Sequence, residues 1–218
     1  MIELLNTDCI EYMKTCKDKQ FDLAITDPPY GAGHSFIQGS GKCVDLYNGK
    51  EWNIAPTDEY FEQLMRVSKN QIIWGGNYFT ILWKQPCRGF IFWNKIQPNE
   101  NYADGEFAWT SFDRNAKYFE YCYSGNRYGY KGSVQGVGKK TNRIHPTQKP
   151  IALYDFILKN YWEKGQTILD THLGSANIAV ACHYADADLV GTEIDPETYA
   201  KAVKNYQMNT TQVKMQML

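Results

Sequence analysis

The chain predicts an α/β fold built on a doubly wound, mostly parallel sheet. Three observations lead there. Short apolar runs at 21–25, 71–74, 167–169 and 189–192 carry no helical period, so each reads as a strand buried on both faces. Segments with apolar residues at helical spacing alternate with those runs, the pattern of a parallel sheet with crossover helices. Several runs end on an acid or a glycine turn, at the strand edge where open α/β sheets bind ligands.

The elements follow in chain order. Ile2-Glu3-Leu4-Leu5 reads as a strand ended by Thr7-Asp8, with Asp8 able to cap a short helix over 9–15 or to face a ligand. The run FDLAI closes on Asp27-Pro28-Pro29-Tyr30, where two prolines stop strand and helix alike because neither has an amide hydrogen. Residues 31–55 are broken by glycines and lack apolar periodicity, which suits a lid or a substrate-contacting loop. Tyr60, Phe61, Leu64 and Val67 give one apolar face to a helix over 57–68. A strand over 71–74, a helix over 78–83 and a strand over 89–93 come next. Strands over 106–112 and 117–123, joined by Asp113-Arg114-Asn115-Ala116, read as a hairpin, and residues 124–143 read as loop. Pro150 opens a helix, and the strand over 167–169 ends at Asp170. A glycine turn at Gly174 leads to a helix over 178–184, then a strand ended by Glu193 and a last helix from Pro196 to about 207.

The chain has 218 residues, 43% of them hydrophobic and 22% charged, which fits one globular domain with an insertion. No stretch approaches the ~20 apolar residues of a membrane span. The first residues are strand-like, so no signal peptide is expected. Six scattered cysteines without a CxxC pair predict reduced thiols in a cytoplasmic protein and disfavour a metal site. The net charge of −1 hides an asymmetry. Between Arg114 and Lys149 eight basic residues face one acid (Glu120), a net +7 that leaves −8 for the rest. A basic lobe on an acidic body is a footprint for a polyanion, and a solvated loop is the plainer alternative.

Two stretches carry chemistry. Asp27-Pro28-Pro29-Tyr30 sets a carboxylate, carbonyl acceptors and a flat ring beside one another, which suits a planar group bearing an amine; a turn in which Tyr30 simply packs is the alternative. The βαβ unit around Gly174 offers free amides at a helix start, and Glu193 lies about 20 residues on, where nucleotide-binding units place an acid on ribose hydroxyls. With Ser175 and Ala176 after one glycine, the turn suits a nucleoside with a small charged tail better than a pyrophosphate.

DPPY, HPTQKP (145–150), DTHLGSA (170–176) and GTEID (191–195), in that order, resemble the DNA amino-methyltransferases. The order, with DPPY before the glycine loop and a variable region between, is similar to their permuted β group, and the DTHLGS variant resembles small phage and prophage adenine methylases. The resemblance implies a Rossmann-like S-adenosylmethionine-dependent fold with a small basic target-recognition insertion at 99–143. It implies that Asp170, Gly174 and Ser175 hold the methionine part of the cofactor, Glu193 the ribose and Asp8 the adenine ring, with Thr147 and Lys149 near the cofactor carboxylate. Ala176 stands at the second glycine of the usual pattern. Asp27, Pro28, Pro29 and Tyr30 are the implied catalytic set, acting on a base flipped from DNA. Arg127, Lys131, Lys139, Lys140 and Arg143 are the implied DNA contacts, mainly to phosphates. No role is legible for His145 or His172 beyond hydrogen bonding.

The small recognition region fits a short target or a homodimer. Other readings are a cytosine amine target, for which SPPY is commoner, and an RNA adenosine methyltransferase, where this order goes with DPPW. A protein glutamine methyltransferase would carry NPPY after the glycine loop. An inactive DNA-binding module is disfavoured by the intact Asp27, Tyr30, Gly174 and Glu193.

Overall fold

Both faces of the central strands are buried, and this sets the architecture. The computed structural model describes residues 1–31, 54–84, 87–96, 103–124, 127–136 and 148–211. Strand β1 (Ile2–Asn6) leads through α1 (Cys9–Thr15) to β2 (Phe21–Thr26), and α2 (Asp58–Val67) leads to β3 (Ser68–Trp74). Strands β4 (Phe90–Asn94), β5 (Gly105–Thr110) and β6 (Lys117–Glu120) come next, then the short β7 (Cys122–Ser124), β8 (Arg127–Gly129) and β9 (Gln135–Gly136). The chain closes with α3 (Ile151–Tyr161), β10 (Thr167–Asp170), α4 (Asn177–Ala185), β11 (Asp188–Glu193) and α5 (Pro196–Thr211).

Eight strands form one sheet in the order β1-β11-β10-β2-β3-β5-β4-β6, and β7-β8-β9 form a second, antiparallel one. Within the large sheet β5 runs against both neighbours, and every other pairing is parallel. Alternate residues enter two cores. Leu23, Ile25, Ile72, Trp74 and Ile168 join α3 and α4 on one face, while Ala24, Ile73 and Leu169 join α1 and α2 on the other. Each fully buried Ile or Leu contributes roughly 1.5–3 kcal/mol relative to an exposed one. The doubly wound, mostly parallel fold is thus the one the sequence predicts.

Local chemistry explains the helix ends. Asp8 Oδ1 accepts from the amides of Ile10 (2.8 Å) and Glu11 (3.0 Å), so it caps α1 as expected. Arg66, in the last turn of α2, donates to the carbonyls of Met13 (2.6 Å) and Cys16 (2.8 Å) and clamps the end of α1 to α2.

Four expectations are corrected. The hairpin does not form: β5 and β6 are both present, but β4 lies between them. The crossing is tight at Gly89, where an added Cβ would sit 2.4 Å from the Phe112 carbonyl oxygen, so glycine makes room for the chain to pass. The helix over 78–83 is replaced by two 3-10 turns, Gly76–Tyr78 and Thr80–Trp83, because Phe79 is extended between them (φ −109°, ψ 98°). Too few residues remain on either side to nucleate an α-helix. Part of the stretch read as loop after 124 forms β8 and β9. The last helix runs on to Thr211, beyond the expected 207. Of the proposed lid, residues 32–53 lie outside the described residues.

Candidate active site

Five parallel strands, in the spatial order β1, β11, β10, β2, β3, end along one edge. At or just beyond their ends stand Asp8, Glu193, Asp170, Asp27 and Gly75. Neighbouring strands lie ~4.8 Å apart, so four carboxylates share one rim. From β2 the chain passes through α2 to β3, while from β10 it passes through α4 to β11 on the other side. The two helices lie on opposite faces, so the order reverses between β10 and β2. The crevice of such a sheet opens at that point, here between Asp170 and Asp27.

Asp27 is held at both oxygens. The Tyr30 hydroxyl donates to Oδ1 at 2.7 Å, and the Lys149 ammonium meets Oδ2 at 2.5 Å. Each oxygen keeps a second lone pair, so the carboxylate can still accept from a ligand. Lys149 is only 3% exposed, with its Nζ 5.1 Å from the Trp74 ring centroid. It also meets Glu106 Oε2 at 3.2 Å, and Glu106 Oε1 meets Lys95 at 2.5 Å. Lys95, Glu106, Lys149 and Asp27 therefore alternate in sign. Burial alone would lower the Lys149 pKa, but Asp27 and Glu106 outweigh it and push the pKa up. Burial would likewise raise Glu106, yet the two lysines bring it down to about 2. Both groups are ionised at neutral pH.

Tyr30 stacks on Tyr78, with ring centroids 5.0 Å apart and planes at 15°, and burial with the nearby Asp27 and Glu106 charges keeps its hydroxyl protonated. Its ring also lies over Gly75, whose φ is +67° and whose added Cβ would fall 2.1 Å from the ring. Gly75→Ala is expected to lower stability by roughly 2 kcal/mol or more, since the left-handed backbone alone costs about 1–2. It should also displace Tyr30; thermal unfolding, with transfer kinetics alongside, checks both effects.

On the other half of the rim no cation pairs directly with Asp8, Asp170 or Glu193 among the described residues. Burial, joined by the charges of Asp27 and Glu193, raises Asp170 to about 7, against the pull of the His172 amide (3.0 Å) and Lys149. Glu193 is also raised by burial, although the amides of Gly174 (3.1 Å) and Asp195 (3.0 Å) donate to it. Asp170 thus needs a proton or a cationic ligand. Gly174 (φ 51°) and Ala176 (φ 59°) both take left-handed backbone at this turn. Alanine bears a strain of about 1 kcal/mol there, which the glycine of the usual pattern would not.

One further contact ties the halves together, and a second braces the Ser175 turn from α5. Asn177 Nδ2 donates to the Lys149 carbonyl (2.7 Å), and Asn205 Nδ2 donates to Ser175 O (2.8 Å). Beneath the crevice, Thr171 Oγ1 is hydrogen-bonded to Thr26 Oγ1 (2.6 Å), the Tyr60 hydroxyl (2.7 Å) and His172 Nδ1 (3.0 Å). Burial lowers His172 to about 4, so its ring is neutral at pH 7 and serves this cluster as a hydrogen-bonding group.

Asp8, Asp27, Tyr30, Lys149, Asp170, Gly174, Ser175 and Glu193 therefore come to one edge, with Pro28 buried and Pro29 partly buried beside them. Lys149 faces Asp27, a partner that its sequence context does not reveal. Arg127 on β8 and Lys131 just after it are exposed on the small sheet, and Lys131 lies 3.6 Å from Glu120. Arg114 is exposed too, with its guanidinium over Phe112 and Tyr161 and donating to Asn160 O. Thr147, Lys139, Lys140, Arg143 and His145 lie outside the described residues. Sequence reading missed Lys95, Glu106, Tyr60 and Tyr78. The one signal was Glu106, an acid in an otherwise apolar aromatic strand.

Residues 95–204 match the profile of a family described as DNA methylase. The chain is 25% identical to the type II methyltransferase M2.MboI of Moraxella bovis, over 95% of this chain and 88% of that protein. It is 24% identical to the type II methyltransferase M.HpaI of Haemophilus parainfluenzae, over 89% and 70%. Among solved structures it resembles the M1.HpyAVI–SAM complex, with TM-score 0.57 and 21% identity over 94% of this chain and 99% of that one. It also resembles the cytosine-N4-specific PvuII DNA methyltransferase, with TM-score 0.61 and 13% identity over 96% and 90%.

Proposed function

The chain belongs to the N6/N4 DNA methylase family, and we propose that within it the protein methylates the exocyclic amine of adenine in DNA, with S-adenosylmethionine as methyl donor. The observation that carries this reading is Asp27, oriented by Tyr30 and Lys149 at the reversal point of the sheet, with Asp170 and Glu193 at the ends of the neighbouring strands.

The residues fit that cofactor. Asp170 and Glu193 are acceptors with no ion-pair partner among the described residues, which suits a molecule with an ammonium and a sulfonium; Asp8, Gly174 and Ser175 line the same edge. When bound, S-adenosylmethionine supplies an electrophilic methyl group. The rest falls to the chain. An adenine amine is a weak nucleophile because its lone pair is delocalised into the ring. Asp27 and the Pro28 carbonyl each accept one of its hydrogens, which favours a tetrahedral nitrogen and stabilises the positive charge that develops on it. Pro29 holds the shape of the turn. Positioning supplies most of the remaining acceleration, and no covalent intermediate is required. Flipping the base costs a few kcal/mol. Stacking on the Tyr30 side of the crevice, worth ~1–3 kcal/mol, offsets part of it.

Adenine is favoured by the aspartate in the tetrapeptide. A cytosine amine is the second reading, favoured by the likeness in fold to the PvuII enzyme. Incubation with labelled cofactor and DNA, followed by mass analysis of the nucleosides, separates them: N6-methyladenine supports the proposal and N4-methylcytosine overturns it. DNA is the expected partner, held through phosphates by Arg127, Lys131 and the basic residues Lys139, Lys140 and Arg143 that follow in the sequence. Arg127→Ala and Lys131→Ala should each weaken DNA binding about equally on all sequences and lower the salt slope by about 1, as titrations at several salt concentrations would reveal. Among the described residues no helix is long and apolar enough to cross a membrane.

A further inference from the structure

We propose that Glu106 is a positioning residue for methyl transfer, holding the Lys149 ammonium on Asp27, and that Lys95 acts through Glu106. The inference rests on the function proposed above and adds two residues to it.

Topology brings Glu106 to the site. β5 is the antiparallel strand of the large sheet, with Trp74 opposite Ala108, so Glu106 lies beyond the carboxyl end of β3. It reaches the ligand edge because its strand starts there and not because it ends there. Lys149 enters from the other direction, just before α3. Its side chain has four rotatable bonds, and two acids offer themselves nearby: Asp27, which it touches, and Asp170, whose ionisation its charge favours. A single partner would not choose between them. Glu106, at 3.2 Å on the Asp27 side, does choose. Lys95 in turn occupies the second oxygen of Glu106 at 2.5 Å, so that oxygen does not compete for Lys149. Removing Glu106 frees Lys149 to swing toward Asp170, which leaves Asp27 without its second anchor and places a cation in the half-site reserved for the cofactor.

A purely structural ion network would predict lost stability with unaltered turnover once folded. Positioning predicts a loss in kcat. The test uses the full chain, labelled S-adenosylmethionine and DNA on which the wild type is active. Glu106→Gln should lower kcat by up to ~10²-fold, the scale expected for a displacement of about 1 Å. Its KM for DNA should change less than about twofold, since the Glu106 carboxylate is taken up by Lys149 and Lys95. Lys95→Met should lower kcat severalfold, Lys95→Arg should restore it, and the double variant should be no worse than Glu106→Gln alone, because contacts in one network are not additive. A folded Glu106→Gln with kcat within about twofold of wild type overturns the proposal. If that variant does not fold, Lys95→Met decides, since its side chain lies nearer the surface (17% exposed); unchanged kcat there overturns the proposal as well. A wild type that transfers no methyl group to any DNA overturns the functional reading, and this one with it. Active wild type with unaffected variants overturns this one alone.

Discussion

Asp27→Asn is expected to cut methyl transfer by roughly 10²–10³-fold, the scale for removing one preorganised electrostatic group, while S-adenosylmethionine binding stays within about threefold. Asparagine keeps the shape of the side chain but loses the charge that opposes the cation forming on the target amine. Calorimetry with the cofactor and single-turnover transfer to DNA give the two numbers independently. Turnover near that of wild type would sink the proposed mechanism, because no other carboxylate is offered to the amine by the DPPY turn. The substitution also unbalances Lys149, which keeps Glu106 but loses its contact at 2.5 Å. A stability loss of roughly 1–3 kcal/mol should accompany it, visible in thermal unfolding. The activity measurement therefore belongs at a temperature where the variant is fully folded.

Asp170→Asn is expected to weaken S-adenosylmethionine binding by roughly 10–10²-fold at pH 8 and to flatten its pH dependence. In the ligand-free protein burial holds Asp170 at about 7, so below that pH it carries a proton. A cationic ligand favours the carboxylate, so binding releases the proton. Wild-type affinity should therefore rise by up to about tenfold per pH unit as pH climbs toward 7, then level off. The difference between the wild-type and variant profiles isolates Asp170 from any titration of the cofactor. Stability moves the other way. The folded pKa lies above the 3.8 of a free aspartate, so the protonated group favours the fold at low pH, and that contribution is lost as pH rises through about 7. The loss is on the order of 4 kcal/mol. Asparagine escapes it, so the ligand-free variant should unfold at a higher temperature than wild type at pH 8. A variant that is less stable at pH 8, or that keeps the wild-type pH slope, would contradict this account of the half-site.

These two acids also show how much of the site could be read from the chain. Asp27 and Asp170 each stand at the end of a short apolar run, and that is a local signal: the strand stops, the acid follows, and the edge it reaches is set by the strand's direction. The same logic found Asp8 and Glu193, and Asp8 caps α1 as its spacing to Ile10 and Glu11 predicts. Lys149 was legible as a residue of interest but not by partner. It lies 122 residues from Asp27 in sequence, and a flexible ammonium goes to whichever buried acid the fold presents. Glu106 and Lys95 were not legible as a pair with it, because an acid within an aromatic strand can face solvent as readily as a buried cation.

The sequence by itself determined the strands, helices and rim acids of the parallel half, together with the order of motifs that marks the family. These follow from periodicity, caps and breakers acting within a few residues. Only the tertiary structure decided that β4 intervenes between β5 and β6, that Arg114 lies over Phe112 and Tyr161, and that Lys149 bridges Asp27 and Glu106. Alternation reports which face of a strand is buried but not which strand lies beside it. A charge count reports how many cations a segment holds but not which are already paired. Both are settled by contacts between residues far apart in the chain, which form only when the whole sheet does.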